Sequence, residues 1–229
     1  NFLAAAEAFH KAPEIHTRAF LIIGFPGETI SMINDTIRVA EEMALDWYST
    51  TVLQPLPNTP IYDAMLQDGL IEAADGSKDV RFNSGSYGKQ IELDLGIQSV
   101  QDFEESIRSM RPDEIPKPEQ VTSIWFYMNY QLNFRRLFTE MRPVKLEQQK
   151  MNLSALANVI SPGHCLAIYF LAYVQYRLTG SMSQELIRLL NDRLVASPYW
   201  TNRLKAFGLS VEDLETCNFS GKEIPCLKL

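Results

Sequence analysis

The stretch TRAFLIIG at residues 17–24, continued by FPGET, decides the fold class of this chain. Its first eight residues are apolar on both faces, a pattern typical of strands in parallel sheets. The next apolar positions follow helical spacing over residues 30–44, and Thr29 stands where it can cap that helix. Residues 47–54, WYSTTVLQ, are rich in aromatic and β-branched side chains and predict a second strand. Residues 17–54 therefore predict a strand–helix–strand unit with two parallel strands.

Outside this unit the pattern becomes almost wholly helical. Residues 2–11 predict a short Ala-rich helix, and the polar, Gly-rich residues 72–95 predict a loop and a domain boundary. Beyond that loop, helical apolar spacing separated by Pro or Gly covers residues 98–110, 118–141, 145–160, 163–178 and 183–196. The sequence thus predicts an α/β part over residues 1–71 and a mainly α-helical domain over residues 72–229.

The composition narrows the class of protein. The chain has 229 residues, 46% of them hydrophobic, which is enough to fill a core. Its formal net charge of -7 repels phosphate backbones and argues against nucleic acid as the main partner.

Cysteine usage and hydropathy bear on the compartment. The three cysteines are an odd number without close spacing, which favours a reducing, cytoplasmic compartment. The first residues lack the pattern of a signal peptide. The most apolar window, residues 155–174, is interrupted by Asn158 and Pro162. We therefore expect a buried or interfacial helix there and no membrane span.

The first motif with chemical potential is GFPGET at residues 24–29. It lies where a parallel strand ends and its helix begins, the position at which α/β proteins bind ligands. Its two glycines allow backbone to approach a bound molecule, and the first amides of the helix favour an anion. A P-loop would need Lys followed by Ser or Thr, where this chain has Glu28 and Thr29. The alternative is a tight strand-to-helix turn with a capping threonine.

The second motif, PLPNTP at residues 55–60, follows the second strand. Three prolines in six residues make a stiff, extended loop that suits the wall of a pocket. A plain chain-reversing loop is the alternative. Because parallel strands carry both motifs, we expect them at the same edge of the sheet.

Together, IIGFPGET and VLQPLPNTPIYD resemble the late barrel strands of radical S-adenosylmethionine (radical SAM) enzymes, in particular the class with an upstream cobalamin-binding domain. The resemblance covers residues 1–70. That class typically has a glycine at the position of Asn58, and Asn tolerates a left-handed backbone better than most residues.

The resemblance implies a partial parallel βα barrel, S-adenosylmethionine (SAM) and a [4Fe–4S] cluster held by a CxxxCxxC motif. This chain lacks that motif, so the ligands are expected upstream, with cobalamin as a further cofactor of the parent chain. The implied cofactor-binding residues are Ile22, Ile23, Gly24, Phe25, Pro26, Gly27, Glu28 and Thr29, and the implied substrate-facing residues are Pro55, Leu56, Pro57 and Asn58. No catalytic acid or base and no metal ligand is predicted, because the cofactor supplies radical chemistry.

The function implied is that of a fragment of a radical SAM oxidoreductase or methyltransferase-like enzyme, inactive alone. Its partners would be a small-molecule substrate and the upstream cobalamin and cluster domains. Two alternatives stay open. One is a non-catalytic helical interaction module on a degenerate α/β scaffold, and the other is a barrel enzyme that binds a phosphate-bearing substrate at GFPGET.

Other residues offer weaker signals, each with a structural explanation that is favoured. His164 and Cys165 suggest a metal site or a reactive thiol, and Cys217 with Cys226 suggest an auxiliary cluster, but burial or too few ligands explain them better. The aromatic residues of 125–134 suggest a planar substrate pocket, yet their helical spacing suits a core. Three arginines suggest a binding site for substrate carboxylates, namely Arg135, Arg136 and Arg142. The favoured explanation is that they lie on a solvated surface.

Overall fold

A computed structural model describes residues 2–53, 55–68 and 110–222. Their elements, in chain order, are α1 (Phe2–His10), β1 (Arg18–Ile23), α2 (Ile30–Met43), β2 (Trp47–Val52), α3 (Pro60–Gln67), α4 (Pro118–Asn129), α5 (Pro143–Ala155), α6 (Cys165–Thr179), α7 (Gln184–Ala196), α8 (Pro198–Ala206) and α9 (Val211–Thr216). The described chain is therefore mostly helical, with a small parallel sheet of two strands.

The predicted strand–helix–strand unit is confirmed. β1 and β2 pair in parallel, in a register that runs from Arg18 opposite Trp47 to Ile23 opposite Val52. The helix between them begins after Thr29, whose side chain accepts a hydrogen bond from the Met32 amide.

Most predicted helices are present, with changes at their ends. Residues 118–141 form α4, followed by a π turn (Tyr130–Phe134) and a 3₁₀ turn (Arg135–Phe138). α5 likewise continues into a π turn (Leu156–Ile160). The short helices α3, α8 and α9 were not predicted. The predicted helix 98–110, apart from Met110, and the loop 72–95 with its domain boundary lie outside the described residues, so the boundary stays a prediction.

One hydrophobic cluster runs from the sheet into the helices. Its centre is α6, whose residues 165–174 are all buried, because neighbouring helices surround that stretch on every side. Residues 165–174 of the apolar window thus form a buried helix, as the sequence predicts, whereas residues 156–160 form a π turn in which Val159 and Ile160 are exposed. Among the helices of the described ranges, none is long and apolar enough to cross a membrane.

The two edges of the sheet differ. At the outer edge of β2, the Asn133 side chain accepts a hydrogen bond from the Tyr48 amide at 2.7 Å and donates to its carbonyl at 2.8 Å. The Trp125 indole N–H donates to the Thr50 carbonyl at 2.7 Å. On β1, by contrast, Phe20 is 76% exposed and Ile22 is 46% exposed. The helical part therefore closes the β2 side and leaves one face of β1 open.

A buried polar cluster fixes the amino-terminal end of the sheet. The Asp46 carboxylate accepts hydrogen bonds from the Lys145 ammonium at 2.8 Å and from the Thr17 amide and hydroxyl, both at 2.7 Å. Lys145 also donates to the Ile15 carbonyl at 2.7 Å. We call Thr17, Asp46 and Lys145 the base. It joins the start of both strands to α5.

Candidate functional site

The two sequence motifs lie at the same edge of the sheet. GFPGET follows β1 and PLPNTP follows β2, and the strands run in parallel. At the ends of the strands, the Leu53 amide donates a hydrogen bond to the Ile23 carbonyl at 2.7 Å. The segments that follow β1 and β2 therefore leave the sheet side by side. We call residues 24–29 and 55–60 the rim. Its location agrees with the sequence prediction.

The two glycines of the first motif serve different purposes. Gly24 has φ of 87°, and a Cβ placed there would lie 3.3 Å from a Val52 methyl and 3.5 Å from a Val121 methyl. Gly27 has φ of 75°, but a Cβ there would meet nothing within 4 Å. Gly24 is therefore required by packing and backbone conformation. Gly27 is required by conformation alone and leaves open space above the turn.

Glu28 folds back over its own turn. Its carboxylate accepts hydrogen bonds from the Gly24 amide at 2.5 Å and the Phe25 amide at 3.2 Å. Burial raises the pKa of Glu28, while the two amides act in the opposite direction. The turn therefore already holds an anion, which belongs to the protein.

The first amides of α2 are also occupied. The Ile30 amide donates to the Glu114 carbonyl and the Ser31 amide to the Pro112 carbonyl, both at 2.9 Å. The next amide is capped by Thr29. The sequence prediction that these amides favour a bound anion is therefore wrong, because a later segment of the chain takes them. A phosphate-bearing substrate at GFPGET loses its physical basis.

The predicted cofactor residues divide by exposure. Ile23 is fully buried and belongs to the core, whereas Ile22 is 46% and Phe25 is 41% exposed. Pro26 is partly buried, and Gly27 is exposed. The surface that a ligand can reach is therefore apolar, from Ile22 and Phe25, with free space at Gly27.

The PLPNTP loop is a turn followed by a helix start. Asn58 has φ of 66°, a left-handed backbone conformation that asparagine tolerates better than most residues. The Thr59 hydroxyl donates to the Leu56 carbonyl at 2.7 Å and accepts from the Tyr62 amide at 3.3 Å, which caps α3. Leu56 is 65% exposed, Pro57 is exposed, and Pro55 is partly buried. This loop adds a second apolar surface to the rim.

His164 and Cys165 are core residues. The His164 ring accepts a hydrogen bond from the Ala167 amide at 3.2 Å and stacks on Phe134, with ring centroids 5.8 Å apart. Burial lowers the pKa of His164 to about 3 and raises the pKa of Cys165 to about 12. The buried thiol stays protonated and is therefore not a nucleophile, and His164 belongs to no group of three or more potential metal ligands among the described residues.

Metal ligands do not gather elsewhere in the described ranges. No group of three or more His, Cys, Asp or Glu side chains there could hold a metal ion. Cys217 is a free thiol, and Cys226 lies outside the ranges that the structure covers.

The aromatic stripe of α4 and of the π turn that follows it is part of the core. Its members are at most 4% exposed, and Tyr130 stacks on Phe207 with ring centroids 3.8 Å apart. Phe134 packs edge to face on Trp47 at 5.9 Å. Neighbouring side chains fill the space between these rings. The rings therefore belong to the core, as their helical spacing indicated, and no substrate pocket lies between them.

The three arginines differ from one another. Arg142 pairs with the Glu140 carboxylate through two hydrogen bonds of 2.9 and 2.8 Å. Arg135 and Arg136 are partly buried and line a cavity, so the expected solvated surface is wrong for both. In the sequence, the adjacency of these two arginines was the only feature that singled them out.

The comparisons with known proteins give a limited relationship. No family model matches the chain, and no solved structure is similar to it. A curated protein that matches is the tRNA-2-methylthio-N(6)-dimethylallyladenosine synthase of Erythrobacter litoralis (strain HTCC2594), which is 29% identical over 105 residues. The match covers 41% of this chain and 23% of that protein.

This partial match fits a relationship with radical SAM enzymes, whose cofactors at the family level are SAM and a [4Fe–4S] cluster. It gives no support to the cobalamin class. The chain spans less than a quarter of the relative that it matches.

Proposed function

We propose that this chain supplies the last strands of a radical SAM barrel, and that its rim lines SAM and substrate. The observation that carries the proposal is the rim itself. Two parallel strands end in register, and each continues into the motif that the family resemblance assigns to that position. The ligand-binding edge of parallel α/β proteins is the carboxyl end of the strands.

The open side of β1 supports a larger sheet. Phe20 and Ile22 are exposed on a face that the described helices do not cover. A cavity of about 390 Å³ beside them is lined by Phe2, Leu21 and Met43. A barrel closed by further strands would enclose this face and bury its apolar side chains.

At the rim, we propose that Ile22, Phe25 and Gly27 make the direct contacts with SAM. The two side chains offer apolar surface to an adenine ring, and Gly27 leaves room for close approach. Ile23, Gly24, Pro26, Glu28 and Thr29 shape the turn, since their contacts lie within the protein. Pro55, Leu56, Pro57 and Asn58 would face substrate.

The cluster does not fit this chain. The sequence has no CxxxCxxC segment, and Cys165 is buried in the core. We propose that the cluster ligands lie on a preceding part of a longer polypeptide. The 229-residue chain alone is then inactive. Its own residues position SAM and exclude water, and the bound cofactors supply the radical chemistry.

The substrate and further cofactors are the finer parts of the proposal. We propose a small-molecule substrate and a cytoplasmic location, because the net charge of -7 disfavours nucleic acid and thiolate-held clusters persist in reducing compartments. The name of the matched relative refers to a tRNA. Cobalamin rests on the motif resemblance alone.

The experiment compares two glycine variants in the parent polypeptide after anaerobic reconstitution with iron and sulfide. Gly27→Ala adds a methyl group that meets no atom of the protein but projects into the proposed SAM site. Gly180→Ala is the matched control, because Gly180 has φ of 72° and equally open space at the end of α6. Each should lose about 1 kcal/mol of stability through its backbone conformation.

We expect Gly27→Ala to weaken SAM binding about tenfold, with a matching loss of 5′-deoxyadenosine formation, while Gly180→Ala binds as the wild type does. Equal SAM affinity in both variants would contradict the rim assignment. A wild-type parent that assembles no cluster and forms no 5′-deoxyadenosine would favour the interaction-module alternative. If the 229-residue chain alone bound stoichiometric iron and sulfide, the proposal that the cluster ligands lie outside this chain would be wrong.

A further inference from the structure

A second cavity lies away from the rim, between the end of α2 and the turns that follow α4. Its volume is about 310 Å³, and Ala40, Glu41 and Ala44 line one side. Gln131 and Arg136 are among the residues on the other side. Since α2 returns from the rim to the amino-terminal end of the sheet, roughly 20 Å of strand separates this cavity from the rim.

The cavity has a positive charge within an acidic protein. Its charged lining residues are Arg135, Arg136 and Glu41. Other acids nearby already have cations of their own. Asp46 is paired with Lys145 at 2.8 Å, and Glu140 with Arg142 at 2.8 Å.

Arg136 is the lining arginine that forms no ion pair within the described ranges. Its partly buried guanidinium makes no hydrogen bond or ion pair with any residue in the described part of the chain, whereas Arg38, Arg142 and Arg177 all do. Burial lowers the pKa of Arg136, and the more distant charges of Asp46 and Glu140 act in the opposite direction. Partial burial of a guanidinium without a close partner is unfavourable, and an anion in the cavity would reduce that cost.

The remaining polar groups of the cavity donate to the protein itself. The Tyr48 hydroxyl donates to the Ala40 carbonyl at 2.5 Å and accepts from the Leu45 amide at 2.9 Å. The Thr139 hydroxyl donates to the Arg136 carbonyl at 3.0 Å. The Gln131 amide donates to the Glu41 carboxylate. Among the lining residues, Arg136 is the one whose guanidinium lines the cavity without a hydrogen bond to the described part of the chain.

We propose that this cavity binds a small oxyanion, a phosphate or a carboxylate, held by the guanidinium of Arg136. The planar fork of arginine matches both groups, because two parallel N–H donors meet two oxygens. Ala40, Ala44 and Leu132 provide apolar surface for an organic part of the ligand. The proposal is independent of the SAM site at the rim.

The experiment uses the 229-residue chain with inorganic phosphate and, separately, acetate, each titrated against sodium chloride at constant ionic strength. Binding is followed by NMR of the arginine Nε–Hε signals, which resolves the responding side chain. Arg136→Gln removes the charge and keeps a donor. Arg38→Gln is the control, since Arg38 is an exposed arginine paired with Asp35 at 3.1 Å.

We expect saturable shifts of one arginine signal, lost in Arg136→Gln and retained in Arg38→Gln, with affinity about tenfold or more lower in the first variant. Glu41→Gln should tighten binding, because it removes the acidic group of the cavity and keeps an oxygen for Gln131. A response to phosphate alone identifies a tetrahedral ligand, and one to acetate a carboxylate. The proposal fails if neither anion gives a saturable response, or if folded Arg136→Gln responds as the wild type does.

Discussion

At the base, the Asp46 carboxylate is buried and holds a lysine ammonium and two hydrogen-bond donors of Thr17. At the rim, the Glu28 carboxylate is half-buried and accepts hydrogen bonds from two backbone amides, and no cation of the described residues pairs with it. The pKa values of the two carboxylates are thus shifted in opposite directions. Although burial opposes it, hydrogen bonds from Lys145 and Thr17 lower the pKa of Asp46, while burial raises the pKa of Glu28.

This difference teaches how the sheet divides its work. The base joins residues of both strands and α5 through charge and complete hydrogen bonding, so it stabilises the fold. The rim uses left-handed turns at Gly24, Gly27 and Asn58 and exposes apolar side chains, and this is the surface that we propose for SAM and substrate. Stability at the amino-terminal end and binding at the carboxyl end is the usual division in parallel α/β proteins.

The largest test of this division removes the cation of the base. Lys145→Met should lower the free energy of unfolding by about 3–5 kcal/mol, because it leaves the Asp46 carboxylate buried without its partner. Urea unfolding followed by circular dichroism measures the change.

Lys150→Met is the matched control, since Lys150 pairs with Glu147 at 3.4 Å on the surface. It should change the free energy of unfolding by less than about 0.5 kcal/mol. Adding Asp46→Asn to Lys145→Met should restore part of the loss. Similar effects of the two lysine variants would mean that the base does not stabilise the fold as an ion pair.

A second test asks whether the middle of the sheet behaves like the base. Asn133→Leu should cost about 2–4 kcal/mol, because it leaves the amide and carbonyl of Tyr48 buried without partners. Asn158→Leu is its control. That side chain is exposed and bonds only within its own turn, to Ser154, so a change within about 0.5 kcal/mol is expected. Equal losses in urea unfolding would contradict the role of Asn133.

The smallest test compares the two carboxylates by pH. Asp46 has a lowered pKa when folded, so its stabilisation is present above its unfolded pKa, about 3.9, and is lost as pH falls. Glu28 has a raised pKa, so its protonated form is favoured below about 4.3 and stability is lost as pH rises through the folded value.

At pH 7, Asp46→Asn should therefore destabilise the chain, while Glu28→Gln should stabilise it by less than about 1 kcal/mol, a value reduced by solvent screening. The gain from Glu28→Gln should vanish near pH 3. Unfolding free energies at pH 7, 5 and 3 measure both trends. If Glu28→Gln lowered the free energy of unfolding at pH 7, the Glu28 carboxylate would stabilise the fold as Asp46 does, and the contrast between rim and base would be wrong.

The sheet and its motifs could be predicted because their signals are local. Apolar runs at 17–24 and 47–54 and the capping position of Thr29 depend on neighbours within a few residues. The short helices α3, α8 and α9 were missed, since each has too few turns for an apolar period to stand out. The π turns after α4 and α5 arise from packing of buried side chains, which no spacing in the sequence reports.

The site was predictable in place but not in its contacts. The sequence placed both motifs at one edge, because parallel strands require it. It could not show that Pro112 and Glu114 would occupy the first amides of α2, since those residues are far away along the chain. Nor could it show Lys145 beside Asp46 or Arg136 in a cavity, because partners separated by 99 residues leave no local pattern.

The hydrogen bonds between Asn133 and Tyr48 also determine when the edge of β2 is covered during synthesis of the chain. The two residues are 85 positions apart, so β2 emerges from the ribosome long before the side chain that covers its edge. At the usual rate of about 5–20 residues per second, that edge stays bare for roughly 4–17 s. During this interval the nascent chain presents an unpaired strand edge, and its cotranslational folding depends on avoiding other strands until the π turn that follows α4 has been synthesised.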